Sequence, residues 1–72
     1  MTKTEFLEQL QDVFERDEAV TEDMVLEDME EWDSLAAMAV MAFFNKKLSI
    51  TLLPAEVREM KTVAELITKA NL

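Results

Sequence analysis

The chain lacks cysteine, histidine, tyrosine and glycine, and its 72 residues include one proline. Without cysteine it forms neither disulfides nor a thiolate metal site. Without histidine it lacks the commonest general base and the commonest metal ligand, and a Ser-His-Asp arrangement is excluded. We therefore expect no conventional acid–base enzyme and no metal centre.

Length and apolar content predict one small domain spanning residues 1–72 with a modest core. The opening stretch MTKTEFLEQL leaves no room for the apolar segment of a signal peptide. The apolar run at residues 35–44 is too short to span a bilayer. These features predict a monomeric cytoplasmic protein without a membrane partner.

Negative charge is concentrated in one segment. Residues 15–33 carry ten carboxylates and one base, Arg16, so this stretch accounts for a charge of −9, which equals the net charge of the chain. Such a surface repels nucleic acid and anionic membranes and attracts a basic partner. For the charge run by itself, a solvated acidic loop is the simpler interpretation.

Apolar spacing predicts a helix over residues 4–16. Residues 34–47 are predicted to form a second long helix. Thr2 and Glu5 have the spacing of a capping box at the start of the first helix. The acidic stretch 17–33 lacks a clear period and is predicted to be a long loop. Four of its apolar residues are expected to hold it to the core: Val20, Met24, Leu26 and Met29.

The C-terminal third predicts two further helices. Pro54 suits the first turn of a short helix, and TVAE at 62–65 has capping-box spacing before a last helix. LSITLL, at 48–53, alternates like a strand but has no plausible partner, and is predicted to be an extended connection. The expected fold is all-α: a small bundle of three long helices and one short helix, with a long loop after the first.

One serine separates the acidic segment from the apolar run. Asp33 or Ser34 is a natural N-cap for the second helix, and capping alone would explain the residue pair. A helix N-terminus also favours negative charge, because its N–H groups are free and the helix dipole is positive there. The Ser34 hydroxyl is therefore a candidate attachment point for a phosphate ester.

DSL at residues 33–35 resembles the prosthetic-group motif of the acyl carrier proteins, in which the serine carries 4′-phosphopantetheine. The surrounding chain resembles that family as well. The motif follows a long loop and opens a second helix in a short, acidic, cysteine-free chain. ITLLP at 50–54 is similar to the family's connection into a short third helix. KTVAELI at 61–67 is similar to the opening of its last helix.

The resemblance implies particular roles. Ser34 would receive phosphopantetheine from coenzyme A through a separate phosphopantetheinyl transferase, and the thiol of that group would hold an acyl chain as a thioester. Asp33 matches the acid associated with the transferase's metal ion, and Leu35 matches an apolar residue that anchors the turn. Trp32 gives a WDS pattern typical of specialised carriers, and equally suits a loop aromatic packed on the bundle.

The partners implied by the resemblance are acyl-loading, acyl-transfer and condensing enzymes of fatty-acid, polyketide or related pathways. The second helix lacks the acidic docking face of the family's fatty-acid carriers, so service to the housekeeping fatty-acid pathway is not expected. At 100° per residue, one face carries the predicted docking residues. These residues are Ala36, Ala39, Phe43 and Lys46.

The opposite side of that helix carries Ala37, Met38, Met41 and Phe44, which are the predicted core residues. Carriers of this family can tuck an acyl chain between their helices. Methionine repacks readily around irregular shapes, so Met38, Met41 and Met60 are the candidate lining of an acyl pocket. Ordinary core packing is an equally good explanation for them.

Other classes remain open. A peptidyl or aminoacyl carrier is the nearest rival, although the acidic balance and Asp33 favour an acyl carrier. An acidic helical interaction module without a prosthetic group would use Ser34 only as a cap. A calcium-binding loop is a weaker alternative, because an EF-hand requires a central glycine and acids at alternate positions.

Overall fold

The computed structural model describes all residues from 1 to 72 and shows four helices without a named strand. The helices are α1 (Lys3–Val13), α2 (Ser34–Leu48), α3 (Pro54–Glu59) and α4 (Val63–Lys69). The predicted all-α bundle is confirmed, but α4 has only seven residues. Two longer and two short helices therefore replace the predicted three long and one short.

Local sequence signals begin the helices as predicted. The Thr2 hydroxyl accepts a hydrogen bond from the Glu5 N–H, and the Glu5 carboxylate accepts one from the Thr2 N–H, both at 3.1 Å. Pro54 is the first residue of α3. The capping box predicted at 62–65 is only half formed, because Thr62 accepts from the Glu65 N–H while Glu65 accepts from the Lys61 N–H.

The core is entirely apolar and contains no buried polar side chain. Phe6 of α1 lies at its centre, with ring centroids 5.7 Å from both Phe43 and Phe44 of α2. The predicted apolar stripe of the last helix is confirmed, since all four of its members are buried: Val63, Leu66, Ile67 and Ala70. Burying these faces supplies the main driving force for folding.

The connection between α1 and α2 is held to the core as predicted. Val20, Leu26 and Met29 are buried, and Met24 is partly buried. Residues 26–28 form a 3₁₀ turn, and an isolated antiparallel bridge joins Val25 to Thr62 at the start of α4. LSITLL contains no strand, as predicted, but the segment is not extended throughout, because Leu48 is the last residue of α2 and Ser49 has a φ of 56°.

The prediction of which face of α2 is buried is wrong. The buried face is rotated about the helix axis by about 100° from the predicted one, which is the angle between consecutive residues. Ala36 and Phe43, predicted to be exposed, are each 8% exposed, whereas Met38, predicted to face the core, is 60% exposed. Of the predicted inward residues only Phe44 is fully buried; Ala37 and Met41 are half-buried.

The physical reason lies in the composition of α2. Ten consecutive apolar residues give it no polar face, so its periodicity cannot choose an orientation, and packing of Phe43 and Phe44 on Phe6 decides it. None of the four helices, α2 included, is both long enough and apolar enough to cross a bilayer.

Three non-glycine residues adopt positive φ angles, each just beyond a helix. They are Glu15 at 54°, Ser49 at 56° and Asn71 at 63°. Glycine is the usual residue at such positions because it has no Cβ. A chain without glycine must place other residues there, and Glu15 explains why α1 ends at Val13 rather than at the predicted residue 16.

Candidate functional site

Ser34 is the first residue of α2, and Asp33 is its N-cap. The Asp33 carboxylate accepts a hydrogen bond from the Ala36 N–H at 2.8 Å. The capping role that the sequence assigned to either residue therefore belongs to Asp33, and the Ser34 side chain lies on the exposed surface. Its hydroxyl is accessible to another molecule.

A groove of about 360 Å³ runs between α2 and α3 and includes Ser34. We call it the α2–α3 groove. Its lining residues are Trp32, Asp33, Ser34, Ala37, Met38, Met41, Pro54, Val57 and Arg58. Two of the three predicted pocket methionines, Met38 and Met41, line it. Met60 does not: it caps the C-terminal end of α3 and is half-buried against the core.

The groove differs from the pocket predicted from the sequence. It lies at the surface between two helices, because Met38 points outward rather than into the bundle. Sequence reasoning also missed Val57 as a lining residue and gave no role to Arg58. The positions of Pro54 and Arg58, four apart on α3, place both on one face of that helix, but the sequence does not say which helix they meet.

Arg58 is the one cation of the α2–α3 groove. It takes part in none of the ion pairs of the chain, which join Arg16 to Glu18 and Glu31, and Lys69 to Glu56. Its charge is therefore available to an anion near Ser34. This contrasts with the acidic environment predicted for the segment before α2.

A second groove, of about 520 Å³, lies on the other side of Ser34, between α2 and the end of α1. We call it the α1–α2 groove. Its lining residues are Val13, Phe14, Glu15, Glu31, Asp33, Leu35, Ala36 and Ala39. Leu35 is 75% exposed, which contradicts an anchoring role for this side chain in the turn.

The residues predicted to dock a partner are separated by the fold. Ala36 and Ala39 form part of the floor of the α1–α2 groove, Phe43 belongs to the core, and Lys46 is exposed near the far end of α2. The large exposed apolar side chains of α2 are instead Leu35 and Met38. They follow Ser34 by one and four residues, so they lie close to it on the first two turns of the helix.

The segment just before Ser34 is held against the end of α1. An Arg16 guanidinium N–H donates to the Glu31 carboxylate at 3.1 Å, and only 14% of the Arg16 side chain is exposed. Next to it, the rings of Phe14 and Trp32 pack edge to face at 5.9 Å. Trp32 is thus a loop aromatic packed on the bundle, one of the two interpretations of WDS.

The carboxylates of the acidic connection do not form a metal site. No group of three or more acidic side chains is arranged to hold a metal ion. The nine residues that line the recess around Arg16 include five acids and this one base. They are Arg16, Asp17, Glu18, Met24, Val25, Asp28, Met29, Glu30 and Glu31.

Comparison of the chain with protein-family models, with curated proteins and with solved structures finds no match to any of them.

Proposed function

We propose that this chain is an acyl carrier protein and that Ser34 is the attachment point of 4′-phosphopantetheine. The observation that carries the proposal is an exposed serine that is the first residue of α2, a helix capped by Asp33, and that lines a groove shared with α3. The resemblance of residues 33–35, 50–54 and 61–67 to that family points to the same residue.

The residues around Ser34 suit such a group. Arg58 lines the same groove as Ser34 and is in no ion pair, so its guanidinium could bind the phosphate oxygens of a phosphodiester through paired N–H donors. Trp32, Met38 and Met41 offer apolar contact further along the groove. The Asp33 carboxylate opposes the phosphate charge, but at an exposed site this repulsion is screened by salt.

The attachment reaction requires an accessible hydroxyl and a separate enzyme. The Ser34 oxygen forms a bond to the phosphorus next to pantetheine, the phosphoanhydride bond of coenzyme A breaks, and adenosine 3′,5′-bisphosphate leaves. The hydroxyl proton would pass to a base of the transferase. The bound group then supplies a thiol that holds an acyl chain as a thioester.

The surface of α2 that partner enzymes would contact is apolar near Ser34 and lacks acidic residues. Leu35 and Met38 are the large apolar side chains near Ser34, and residues 34–55 contain no carboxylate. Docking through this surface depends on apolar contact, with Lys46 and Lys47 supplying positive charge at the end of α2.

The test is a mass measurement. The chain is incubated with coenzyme A and a phosphopantetheinyl transferase of broad specificity, and one phosphopantetheinyl group should be added. The chain has two serines, so Ser49→Ala is a matched control that should be modified normally, while Ser34→Ala should not be modified. An unchanged wild-type mass, or a gain that persists in Ser34→Ala, would refute the proposal.

A second measurement tests whether the α2–α3 groove binds an attached acyl chain. Attaching an octanoyl chain should bury methylenes against Met38 and Met41. Each buried methylene should add up to about 0.8 kcal/mol to the free energy of unfolding. The octanoyl form should then melt at a higher temperature than the unacylated form, and a glycyl form should not. Equal melting temperatures for all three would show that the acyl chain stays in solvent and that Met38 and Met41 do not line an acyl pocket.

A further inference from the structure

Arg16 is the only base in the acidic segment 15–33, and it is largely buried. Its guanidinium donates to the Glu31 carboxylate at 3.1 Å and to the Glu18 backbone carbonyl at 3.3 Å. The Gln11 side chain of α1 donates to the backbone carbonyls of Arg16 and Asp17, both at 3.2 Å. Arg16 is therefore held in place from α1.

These contacts reach the segment that presents Ser34. Glu31 precedes Ser34 by three residues, and the neighbouring Trp32 packs on Phe14 from the same end of α1. The ion pair and the aromatic pair act on consecutive residues, 31 and 32. Together they connect the segment just after α1 to the segment just before α2, and Arg16 and Glu31 themselves lie fifteen residues apart in sequence.

Electrostatics makes this connection depend on Arg16. The recess around it contains Asp17, Glu18, Asp28, Glu30 and Glu31 and no other base. With Arg16 present, a charge-assisted hydrogen bond offsets the mutual repulsion of these carboxylates. Without it, the carboxylates repel one another and residues 30–33 lose the contact that draws them towards α1.

We infer that Arg16 is a positioning residue for the modification of Ser34. It acts through Glu31 by holding residues 31–33 in the conformation that a transferase binds. This inference rests on the proposed function. If that conformation is populated only part of the time, the apparent dissociation constant for the enzyme rises by the inverse of the populated fraction. The rate of reaction in the bound complex does not change.

The experiment is steady-state modification of the full-length chain with coenzyme A and the same transferase, comparing wild type with Arg16→Gln. If the competent conformation falls to about a tenth of the population, KM for the carrier should rise about tenfold and kcat should change by less than about twofold. Arg16→Lys, which keeps the charge, should recover part of the loss. Hydrogen exchange of the amides at 30–34 should be faster in Arg16→Gln.

Two controls separate positioning from general destabilisation. Thr2→Ala removes the cap at the opposite end of α1, so it should lower the melting temperature without changing KM. Glu31→Gln loses the ion pair but also removes one of the repelling carboxylates, so it should raise KM less than Arg16→Gln does. The double variant should be no worse than Arg16→Gln alone, because the ion pair is already absent there.

The outcomes are distinct. If wild type gains no mass, the proposed function fails and the inference fails with it. If wild type is modified but Arg16→Gln keeps the wild-type KM, or if Thr2→Ala raises KM equally, Arg16 has no positioning role and the proposed function stands.

Discussion

The Asp33 carboxylate accepts a hydrogen bond from the Ala36 N–H at 2.8 Å, and the neighbouring Ser34 is exposed. Asp33 also carries a negative charge beside the serine. Its role as a cap and its role in the proposed attachment reaction can be separated by substitution, because asparagine caps a helix about as well as aspartate does.

We expect Asp33→Ala to lower the free energy of unfolding by about 0.5–2 kcal/mol through loss of the cap. Asp33→Asn should stay close to wild type in urea denaturation, yet be modified at Ser34 much more slowly if the carboxylate serves the transferase. Rapid modification of the asparagine variant would show that the charge of Asp33 is not required.

Phe43 is a core residue, so its truncation should affect stability before any binding. Phe43→Ala should cost about 3–5 kcal/mol, because the ring packs on both Phe6 and Phe44. Thermal denaturation followed by circular dichroism measures the loss. A variant that melts within a few degrees of wild type would contradict the observed packing of α2.

Truncating the exposed apolar residues beside Ser34 should affect partner binding rather than stability. Leu35→Ala and Met38→Ala should each change stability by less than about 0.5 kcal/mol, as surface substitutions do. Each should weaken binding to a cognate partner enzyme by more than about 1 kcal/mol if it contributes to the docking surface.

Calorimetric titration with the partner would measure this binding. Ala42→Ser, an exposed position further along α2, serves as the control and should bind normally. Unchanged affinity in both the Leu35 and the Met38 variants would place docking elsewhere on the molecule.

Ser49 follows α2 with a φ of 56°, a conformation that glycine adopts without steric cost. Ser49→Gly removes that cost but increases the entropy of the unfolded chain, for a net gain of up to about 1 kcal/mol. In a domain of this size such a gain raises the melting temperature by about 4–8 °C. Ser49→Ala keeps the Cβ and should not stabilise; a gain of similar size there would contradict this explanation.

Hydrogen bonds from the Lys69 side chain and then from the Leu53 N–H hold the pKa of Glu56 below its ordinary value of 4.5. A folded-state pKa that is depressed gives stability that is present above the unfolded pKa and is lost as the pH falls through the folded pKa. Wild type should therefore have a higher free energy of unfolding than Glu56→Gln at neutral pH, and this difference should shrink as the pH falls below about 4.5.

Denaturant midpoints of both proteins between neutral and acid pH would measure that difference. Glu59→Gln is the control, because Glu59 lies on the same short helix in no ion pair. If acid pH reduces the difference in denaturant midpoint from wild type equally for the Glu59 and Glu56 variants, net charge rather than the Lys69 contact is responsible.

The sequence by itself determined the features that depend on neighbouring residues. The capping box at Thr2 and Glu5, the entry of Pro54 into α3 and the buried stripe of α4 follow from spacings of three or four residues, and all are present in the structure. The same local logic identified residues 33 and 34 as the start of α2. Such signals act within one turn of helix, so they survive without knowledge of the fold.

Only the tertiary structure decided which way α2 faces, because a run of ten apolar residues allows several orientations and contact with Phe6 selects one. It also decided that Arg58 shares a groove with Ser34 and that Arg16 reaches Glu31, since these pairs lie 24 and 15 residues apart in sequence. Charge and apolar patterns indicate whether a side chain favours burial or exposure, whereas the residues that it contacts depend on how the helices pack together.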